Sequence, residues 1–198
     1  MLYKNMEPLK AIDQIRSRLS SRRRLVMPAE ELSPAAVALL LSPGRRGLDL
    51  LFTLRTGTVL HHKGEVSFPG GRADPCDSSF LDTALRETWE EIGVRPKDLE
   101  ILGVLDDRTS VSGYLVTPVV MFLPEKDYSF KPEPAEVCEV FTVPLPHLSG
   151  PDSHLKRINS RHPDDLYSFT WEHRVIWGLT ASILHGFLTV AFDYEFRG

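Results

Sequence analysis

A glycine-rich loop followed at once by an amphipathic helix constrains the fold of this chain more than any other feature. The loop, Gly64 to Gly71, contains three glycines and one proline. Asp77 or Ser78 can cap the following helix, and Gly93 can end it. Its apolar stripe recurs at helical spacing and consists of Leu81, Ala84, Leu85, Thr88 and Ile92. We therefore expect a shaped loop leading into a helix that is buried along one side.

The same helix carries an acidic face. Glu87, Glu90 and Glu91 stand at positions i, i+3 and i+4, which places their Cβ atoms about 5–6 Å apart. Like charges at this spacing repel each other, and a hard divalent cation offsets the repulsion because carboxylate oxygens are its preferred ligands. The glycine loop leaves backbone carbonyls, such as that of Gly70, able to join the coordination. A solvated helix surface is the alternative for these glutamates, and the preceding loop favours a metal site.

The remainder of the chain is rich in candidate strands. Apolar runs predict strands at residues 35–41, 49–55, 99–105, 115–122 and 137–143. Glycine and proline between the first two indicate a hairpin or a neighbouring pair. Polar and turn-forming residues predict a loop over 150–165, followed by an extended segment at 167–171 and a last helix near 175–188. We expect one domain over residues 35–198, preceded by a helical extension and linker over residues 1–34.

The extension is basic and amphipathic. A docking stripe is predicted at Leu9, Ile12, Ile15 and Leu19. Five arginines crowd the same region, namely Arg16, Arg18, Arg22, Arg23 and Arg24. An organelle-targeting peptide is one interpretation, and a solvated helix that docks on the domain is the one we favour, because Glu7 and Asp13 are unfavourable in a presequence.

Composition excludes several classes of protein. The chain has 23 basic and 27 acidic residues, a formal net charge of −4, which does not predict a nucleic-acid partner. No apolar run approaches the roughly 20 residues that a membrane span needs. Cys76 and Cys138 are too few for a disulfide framework. We expect a cytoplasmic protein without a membrane partner.

The loop and helix together resemble the signature of the Nudix hydrolases. Residues 71–94, GRADPCDSSFLDTALRETWEEIGV, are similar to the Nudix box G-x5-E-x7-R-E-U-x-E-E-x-G-U, in which U is apolar. Arg86, Glu87, Glu90, Glu91 and Gly93 match. Thr88 occupies an apolar position, and one extra residue before Arg86 leaves either Asp77 or Ser78 in place of the first glutamate. The resemblance implies an α/β Nudix fold, a mixed β-sheet sandwiched between helices.

The sequence upstream of the box resembles that of the coenzyme A pyrophosphatase branch of the family. Residues 51–71, LFTLRTGTVLHHKGEVSFPGG, are similar to its element of LLTxR, L-R-x-H-x-G and FPGG. The matching positions are Thr53, Arg55, His62, Gly64, Phe68, Pro69, Gly70 and Gly71. Leu60 stands where that branch usually has arginine, and the segment 176–181 also resembles the branch.

The resemblance implies roles for individual residues. The metal ligands, for Mg²⁺ or Mn²⁺, would be Glu87, Glu90 and Glu91, with the Gly70 carbonyl as a fourth. Glu87 alternatively serves as the base, and Arg86 orients it. Glu136 or Glu139, from a later loop, is a further candidate base, and a solvated acidic turn is the other interpretation of that pair. The substrate phosphates would meet Arg55, His62 and Lys63. A strand end in solvent is the other interpretation of Arg55, and a structural histidine is the other interpretation of His62.

Three functions stay open at this point. The leading one is hydrolysis of coenzyme A, or a derivative, to 4'-phosphopantetheine and adenosine 3',5'-bisphosphate. The second keeps the chemistry but changes the substrate to ADP-ribose, NADH or an oxidised nucleoside triphosphate, and Leu60 motivates it. The third is a non-catalytic nucleotide sensor, which the retained acids disfavour. The expected partner is a small nucleotide substrate, and a homodimer is compatible with the sequence.

Overall fold

A mixed β-sheet forms the middle of the protein. The computed structural model describes residues 7–29, 31–56, 64–150, 153 and 168–194. The strands are β1 (Ser33–Gly44), β2 (Gly47–Arg55), β3 (Val66–Ser67), β4 (Gly70–Arg72), β5 (Glu100–Val104), β6 (Arg108–Thr109), β7 (Tyr114–Phe122), β8 (Val137–Pro144), β9 (Phe169–Trp171) and β10 (Arg174–Ile176). The helices are α1 (Pro8–Ser20), α2 (Phe80–Ile92), α3 (Leu145–Leu148) and α4 (Gly178–Phe192), and Pro96–Asp98 forms a 3-10 turn.

Strand β1 lies at the centre of the sheet. It pairs in parallel with β7 and antiparallel with β2, β4 extends along it, and β8 borders β2. The predicted hairpin between the first two strands is confirmed. Both faces of β1 are buried, with Leu39 and Leu41 on one side and Ala38 and Leu40 on the other. This explains why its sequence is a continuous apolar run and does not alternate.

Different helices cover the two faces. α2 packs with Ala84 and Ile92 against one face. α1 and α4 pack against the other, and buried residues of both belong to one core cluster with β1 and β2. The predicted mixed sheet between helices is therefore present, and α2 is the helix that carries the acidic face.

The ends of α2 follow from local chemistry. Ser79 is the N-cap, because its backbone is extended and its hydroxyl accepts a hydrogen bond from the Asp82 N–H at 3.3 Å. The prediction of Asp77 or Ser78 as the cap was wrong by one or two residues. Gly93 ends the helix as predicted, in the left-handed conformation at φ 72°. Thr88 is tolerated on the buried stripe because its hydroxyl bonds the Ala84 carbonyl at 2.7 Å.

α1 belongs to the core, with Ala11, Ile12, Ile15 and Leu19 buried. Leu9 was wrongly predicted to dock, and its side chain is 69% exposed. The stripe centres on Ile15, and a residue six positions earlier lies about 120° round a helix of 3.6 residues per turn. β1 begins at Ser33, two residues before the expected strand. The division of the chain into residues 1–34 and 35–198 stays a prediction.

The C-terminal segment differs from the prediction. Val175 lies in β10 and not in the last helix, because the pairing of Trp171 with Arg174 extends the chain there, and α4 begins at Gly178. Most of the predicted 150–165 loop lies outside the described residues. Within the part of the chain that the structure describes, no helix is both long and apolar enough to cross a membrane.

Candidate active site

Two glycines bring the loop into contact with both the sheet and α2. Gly70 pairs with Val37 of β1 at φ +155°, and a Cβ added there would lie 2.3 Å from the Ala36 carbonyl oxygen. A Cβ added at Gly71 would lie 2.5 Å from the Glu87 Oε1 atom. Real Cβ atoms do not approach this closely, so neither position tolerates a side chain without movement. Glycine at 71 therefore allows the Glu87 carboxylate to lie directly over the loop backbone.

The Arg86 guanidinium is fully used by its neighbours. Its Nε and Nη2 atoms donate to the two carboxylate oxygens of Asp77 at 3.1 and 2.9 Å, and Nη2 also donates to the Arg72 carbonyl at 3.0 Å. Its Nη1 atom donates to Glu87 Oε1 and to Glu90 Oε2, both at 2.8 Å. A guanidinium has five N–H donors, and here five bonds are made. Arg86 thus links the loop to two acids of α2.

Asp77 anchors this network from the loop. Besides Arg86, its Oδ2 atom accepts bonds from the Thr83 hydroxyl and the Asp74 N–H, both at 2.9 Å. The bond from Arg86 holds the pKa of Asp77 well below its usual range, and the bond to Asp77 in turn raises the pKa of Arg86. Ser78 instead donates its N–H to Asp82. Of the two residues that the extra position left open, Asp77 is the one in contact with Arg86.

Glu91 is the most buried acid of the site, at 3% exposure. Its Oε2 atom accepts a bond from the Gly70 N–H at 3.4 Å, and its Oε1 atom lies 3.9 Å from Arg55 Nη1. Burial raises the pKa of Glu91 to about 8, the nearby Arg55 opposes this, and the charges of Glu87 and Glu136 add to it. Glu91 is thus a buried carboxylate whose charge is only partly compensated.

Glu87 and Glu90 differ in exposure. The Glu87 side chain is 14% exposed and the Glu90 side chain 54%. Burial raises the pKa of Glu87, the bond from Arg86 lowers it, and the charges of Glu90 and Glu136 raise it further. The three acids of the predicted face therefore differ in exposure: Glu91 and Glu87 are mostly buried, and Glu90 is largely exposed.

A later loop brings a further acid to α2. The Lys131 and Glu133 N–H groups donate to the carbonyls of Ile92 and Glu91, both at 2.9 Å, which fixes the loop to the end of the helix. Glu136 follows, and its charge raises the pKa of both Glu87 and Glu91. The carboxylate of Glu136 is therefore within electrostatic reach of these two acids.

Glu139 is placed differently. It lies opposite Leu54 in the β2–β8 register, on the face that packs against α1 and α4 and not against α2. Arg174 Nη2 donates to its Oε1 atom at 2.6 Å. Of the two acids named as candidate bases, Glu136 is the one beside Glu87 and Glu91.

Arg55 supplies positive charge beside Glu91. It ends β2 on the side of the sheet that faces α2, and its Nε atom is buried without a hydrogen-bond partner among the described residues. Its side chain is 27% exposed, so it is accessible from the site. His62 and Lys63, the other two predicted phosphate contacts, lie outside the described residues, as does Leu60.

The donor set suits a hard divalent cation. Glu87 and Glu91 are oxygen donors with pKa values raised by burial, and a cation would offset their mutual repulsion. In the described residues, no three His, Cys, Asp or Glu side chains are arranged as a metal-holding group. Arg86 donates to both Glu87 and Glu90. The chemistry of the acids thus fits a cation, while two of the three bond the arginine.

Comparison with known proteins decides the family. The model of the NUDIX domain matches residues 31–164, which is more than half of the chain. The chain belongs to the Nudix family. A Nudix hydrolase named NudL from Photorhabdus laumondii is 44% identical over 138 residues, which are 69% of this chain and 73% of the relative. The present protein is accordingly a Nudix-type diphosphate hydrolase with pyrophosphatase-type activity.

Solved Nudix structures agree with the fold. A MutT/nudix family protein from Enterococcus faecalis has a TM-score of 0.53 at 16% identity, covering 96% of this chain and 76% of that one. The predicted Nudix fold is confirmed. The NUDIX domain of Shewanella oneidensis NrtR, in complex with ADP ribose, has a TM-score of 0.45 at 23% identity and covers 64% of this chain and 77% of that one. Nudix hydrolases generally use divalent metal ions.

Within this Nudix hydrolase, the predicted site residues that are described lie in one region. They are Arg55, Gly70, Arg86, Glu87, Glu90, Glu91 and Glu136. The sequence left Asp77 as one of two alternatives for the first acid of the box, and no role at the site was predicted for it. The signal available for it was an acid in the loop nine positions before Arg86.

Proposed function

We propose that this Nudix hydrolase cleaves the diphosphate bond of coenzyme A or its derivatives, giving 4'-phosphopantetheine and adenosine 3',5'-bisphosphate. The observation that carries the proposal is the position of Arg55, whose Nη1 atom lies 3.9 Å from the buried Glu91 carboxylate. A diphosphate held by cations needs a basic side chain next to the acids that hold a metal, and Arg55 supplies it. Arg55 is also part of the upstream element that resembles the coenzyme A branch.

The described residues of the upstream element make several contacts around Arg55. The Thr53 hydroxyl lies 3.0 Å from the Ser67 hydroxyl, and the Arg55 N–H donates to the Glu65 carbonyl at 3.0 Å. The Phe68 ring stacks on Phe52 with centroids 5.0 Å apart. These contacts fix the end of β2 to the loop, which supports a fixed placement of the Arg55 guanidinium at the mouth of the site.

We assign the chain's own residues to steps as follows. Glu87, Glu90 and Glu91, with the Gly70 carbonyl, would hold Mg²⁺ or Mn²⁺, which supplies charge neutralisation for the diphosphate. Arg86 keeps Glu87 oriented through the 2.8 Å bond. The Glu136 carboxylate accepts the proton of the attacking water, and Glu87 is the alternative base. Arg55, with His62 and Lys63, binds the substrate phosphates.

The test is a product assay by mass-resolved chromatography. The protein is incubated with Mn²⁺ or Mg²⁺ and, separately, with coenzyme A, ADP-ribose, NADH and 8-oxo-dGTP. We expect fastest cleavage of coenzyme A, with both halves released in equal amounts. Preference for one of the other substrates would overturn the coenzyme A assignment and support the second candidate, which Leu60 favours because an arginine is missing there.

Two variants separate the roles of the residues. Glu90→Gln should abolish turnover while leaving the fold intact. If the wild-type protein binds a nucleotide without cleaving it, the chain is a nucleotide sensor and not a hydrolase. Arg55→Gln should raise KM for coenzyme A about tenfold or more, because a bond to a charged group is lost. The matched control is Arg46→Gln in the exposed β1–β2 turn, which should behave as wild type.

Assembly and location are also proposals. A homodimer is proposed, and light scattering coupled to size-exclusion chromatography measures its mass directly. A cytoplasmic location is proposed as well, and the exposed, unbridged Cys76 and Cys138 support a reducing compartment. Fractionation of the source cells with an antibody to the chain tests it.

A further inference from the structure

Several arginines near the N-terminus form ion pairs with acids of other parts of the fold. Arg16 pairs with Glu100 at 3.0 Å and Arg18 with Asp193 at 2.6 Å. Arg22 and Arg24 pair with the consecutive acids Asp106 and Asp107. Four of the five clustered arginines therefore have an acidic partner far away in the sequence.

Residues 22–27, which we call the arginine segment, are held in place by both backbone and side chains. The Asp107 N–H donates to the Leu25 carbonyl at 3.1 Å. The Leu25 N–H donates to Asp106 Oδ1 at 2.7 Å, and the Met27 N–H donates to Asp107 Oδ2 at 3.0 Å. The segment is thus docked along residues 106–107 and is not a free tail.

Asp107 is the fixed point of this docking. Its side chain is 2% exposed, and its Oδ1 atom accepts bonds from Arg24 Nη1 at 3.2 Å and from the Thr117 hydroxyl at 2.8 Å. A buried carboxylate with this many donors holds its partner's orientation, because breaking one bond leaves a charge in an apolar surrounding. The Arg24 guanidinium is therefore held in place through its Nη1 atom.

The other side of Arg24 faces α2. Its Cζ atom lies 4.9 Å from the centroid of the Phe80 ring, within the range of a cation–π contact. Phe80 is the first residue of the helix that carries Arg86, Glu87, Glu90 and Glu91. The chain of contacts runs from Thr117 in β7 through Asp107 and Arg24 to the beginning of this helix.

We propose that Arg24 is a positioning residue, which holds the N-terminal turn of α2 through Phe80 and so sets where the site acids lie. Its contacts among the described residues are with Asp107 and Phe80, and none is with the site acids. The proposal rests on the proposed function for its effect on turnover, but the docking itself does not depend on the substrate. Because a misplacement of about 1 Å can cost about a hundredfold in rate, a contact at the start of the helix is sufficient to matter.

The experiment combines steady-state kinetics on coenzyme A with hydrogen exchange of the peptides that cover residues 80–85, in the full-length chain. Arg24→Ala should speed exchange there about two- to fivefold, as expected for loss of a cation–π contact. It should lower kcat by a similar factor and leave KM unchanged. The matched control is Arg23→Ala, since Arg23 is the exposed neighbour, and it should match wild type in both measurements.

Variants of Phe80 keep the proposal falsifiable if Arg24→Ala destabilises the whole chain. Phe80→Leu leaves the Arg24–Asp107 pair intact and removes only the ring, so it should reproduce the exchange and kcat effects. Phe80→Tyr restores a ring and should behave as wild type. A purely structural role would predict the same result for Leu and Tyr.

The outcomes distinguish this proposal from the proposed function. Wild-type exchange and kcat in both Arg24→Ala and Phe80→Leu would overturn it, and so would an increase in KM with unchanged kcat, which would make Arg24 a substrate contact. If wild type cleaves none of the nucleotides but exchange in residues 80–85 responds to Arg24→Ala and Phe80→Leu, the proposed function fails and the positioning of α2 by Arg24 stands.

Discussion

Asp77→Asn is the substitution that tests the site network most directly. The Asp77 carboxylate makes two charge-assisted bonds to Arg86, at 3.1 and 2.9 Å, and two more bonds to the Thr83 hydroxyl and the Asp74 N–H. An asparagine has one oxygen and one NH₂ group. One of the two Arg86 nitrogen atoms that donate to Asp77 would therefore face another donor. Because the Asp77 side chain is only 7% exposed, solvent does not replace the lost bonds.

The expected magnitude follows from those bonds. A hydrogen bond to a charged group contributes about 1.5–3 kcal/mol and a neutral one about 1 kcal/mol, so the substitution should cost about 2–4 kcal/mol of the free energy of unfolding. For a domain of this size, that lowers Tm by roughly 5–15 °C. Arg86 is then restrained only by its remaining partners, and kcat should fall by about ten- to a hundredfold.

The pH dependence gives an independent check. Arg86 holds the pKa of Asp77 below its unfolded value of about 3.9. A depressed pKa stabilises the folded state above the unfolded value, and this stabilisation disappears as the pH falls through the folded value. The difference in stability between wild type and Asp77→Asn should therefore be constant from pH 7 to about pH 5 and shrink in stronger acid.

Thermal unfolding followed by circular dichroism, together with kinetics on the best substrate, measures both effects. Asp13→Asn is the matched control, because Asp13 lies on the exposed side of α1 and the substitution removes the same charge. The reasoning is refuted if Asp77→Asn and Asp13→Asn have the same Tm within about 2 °C and the same kcat. A stability difference that grows below pH 4 would also contradict it.

Three further outcomes are expected. Gly71→Ala should lower both kcat and Tm, since its Cβ would displace the Glu87 carboxylate and break the bond from Arg86, and kinetics with thermal unfolding check this. Ile15→Ala should cost about 2–5 kcal/mol in chemical denaturation, whereas Leu9→Ala, 69% exposed, should cost less than about 0.5 kcal/mol. Removal of the metal ion by a chelator should abolish hydrolysis. Mn²⁺ at about a hundred times its Kd should stabilise the folded protein by about 2.7 kcal/mol in a thermal scan. Glu91→Gln should largely remove this stabilisation.

The sequence predicted best what depends on neighbours along the chain. The end of α2 follows from glycine at position 93, and the shared face of Glu87, Glu90 and Glu91 follows from helical spacing. The structure has both. The short strands were harder, because β3, β4 and β10 contain two or three residues each and exist only through pairing with distant partners. Val175 was placed in a helix for this reason.

The sequence motif does not predict that Asp77 is the loop residue in contact with Arg86. The extra residue before Arg86 changes the loop length, so counting positions cannot say which side chain reaches the guanidinium. The loop conformation decides it, since the Asp77 N–H donates to the Asp74 carbonyl at 2.9 Å and its carboxylate is thereby turned toward Arg86. The motif therefore leaves two candidates for its first acid, and in the structure Asp77 is the one that bonds Arg86.

The same reasoning applies to the residues that sheet pairing brings to the site. Arg55 ends β2 and Glu136 precedes β8. The two segments run side by side there, because Arg55 pairs with Val137 after a register shift between Leu54 and Arg55, and the Thr56 N–H donates to the Glu136 carbonyl at 3.0 Å. An unshifted register would pair Arg55 with Cys138. The irregularity moves the start of β8 by one residue relative to the end of β2. Arg55 and Glu136 both act on the pKa of Glu91, which the first lowers and the second raises. Two of the charges that act on the most buried acid of this Nudix hydrolase thus come from neighbouring ends of β2 and β8, and no local pattern in the sequence encodes that pairing.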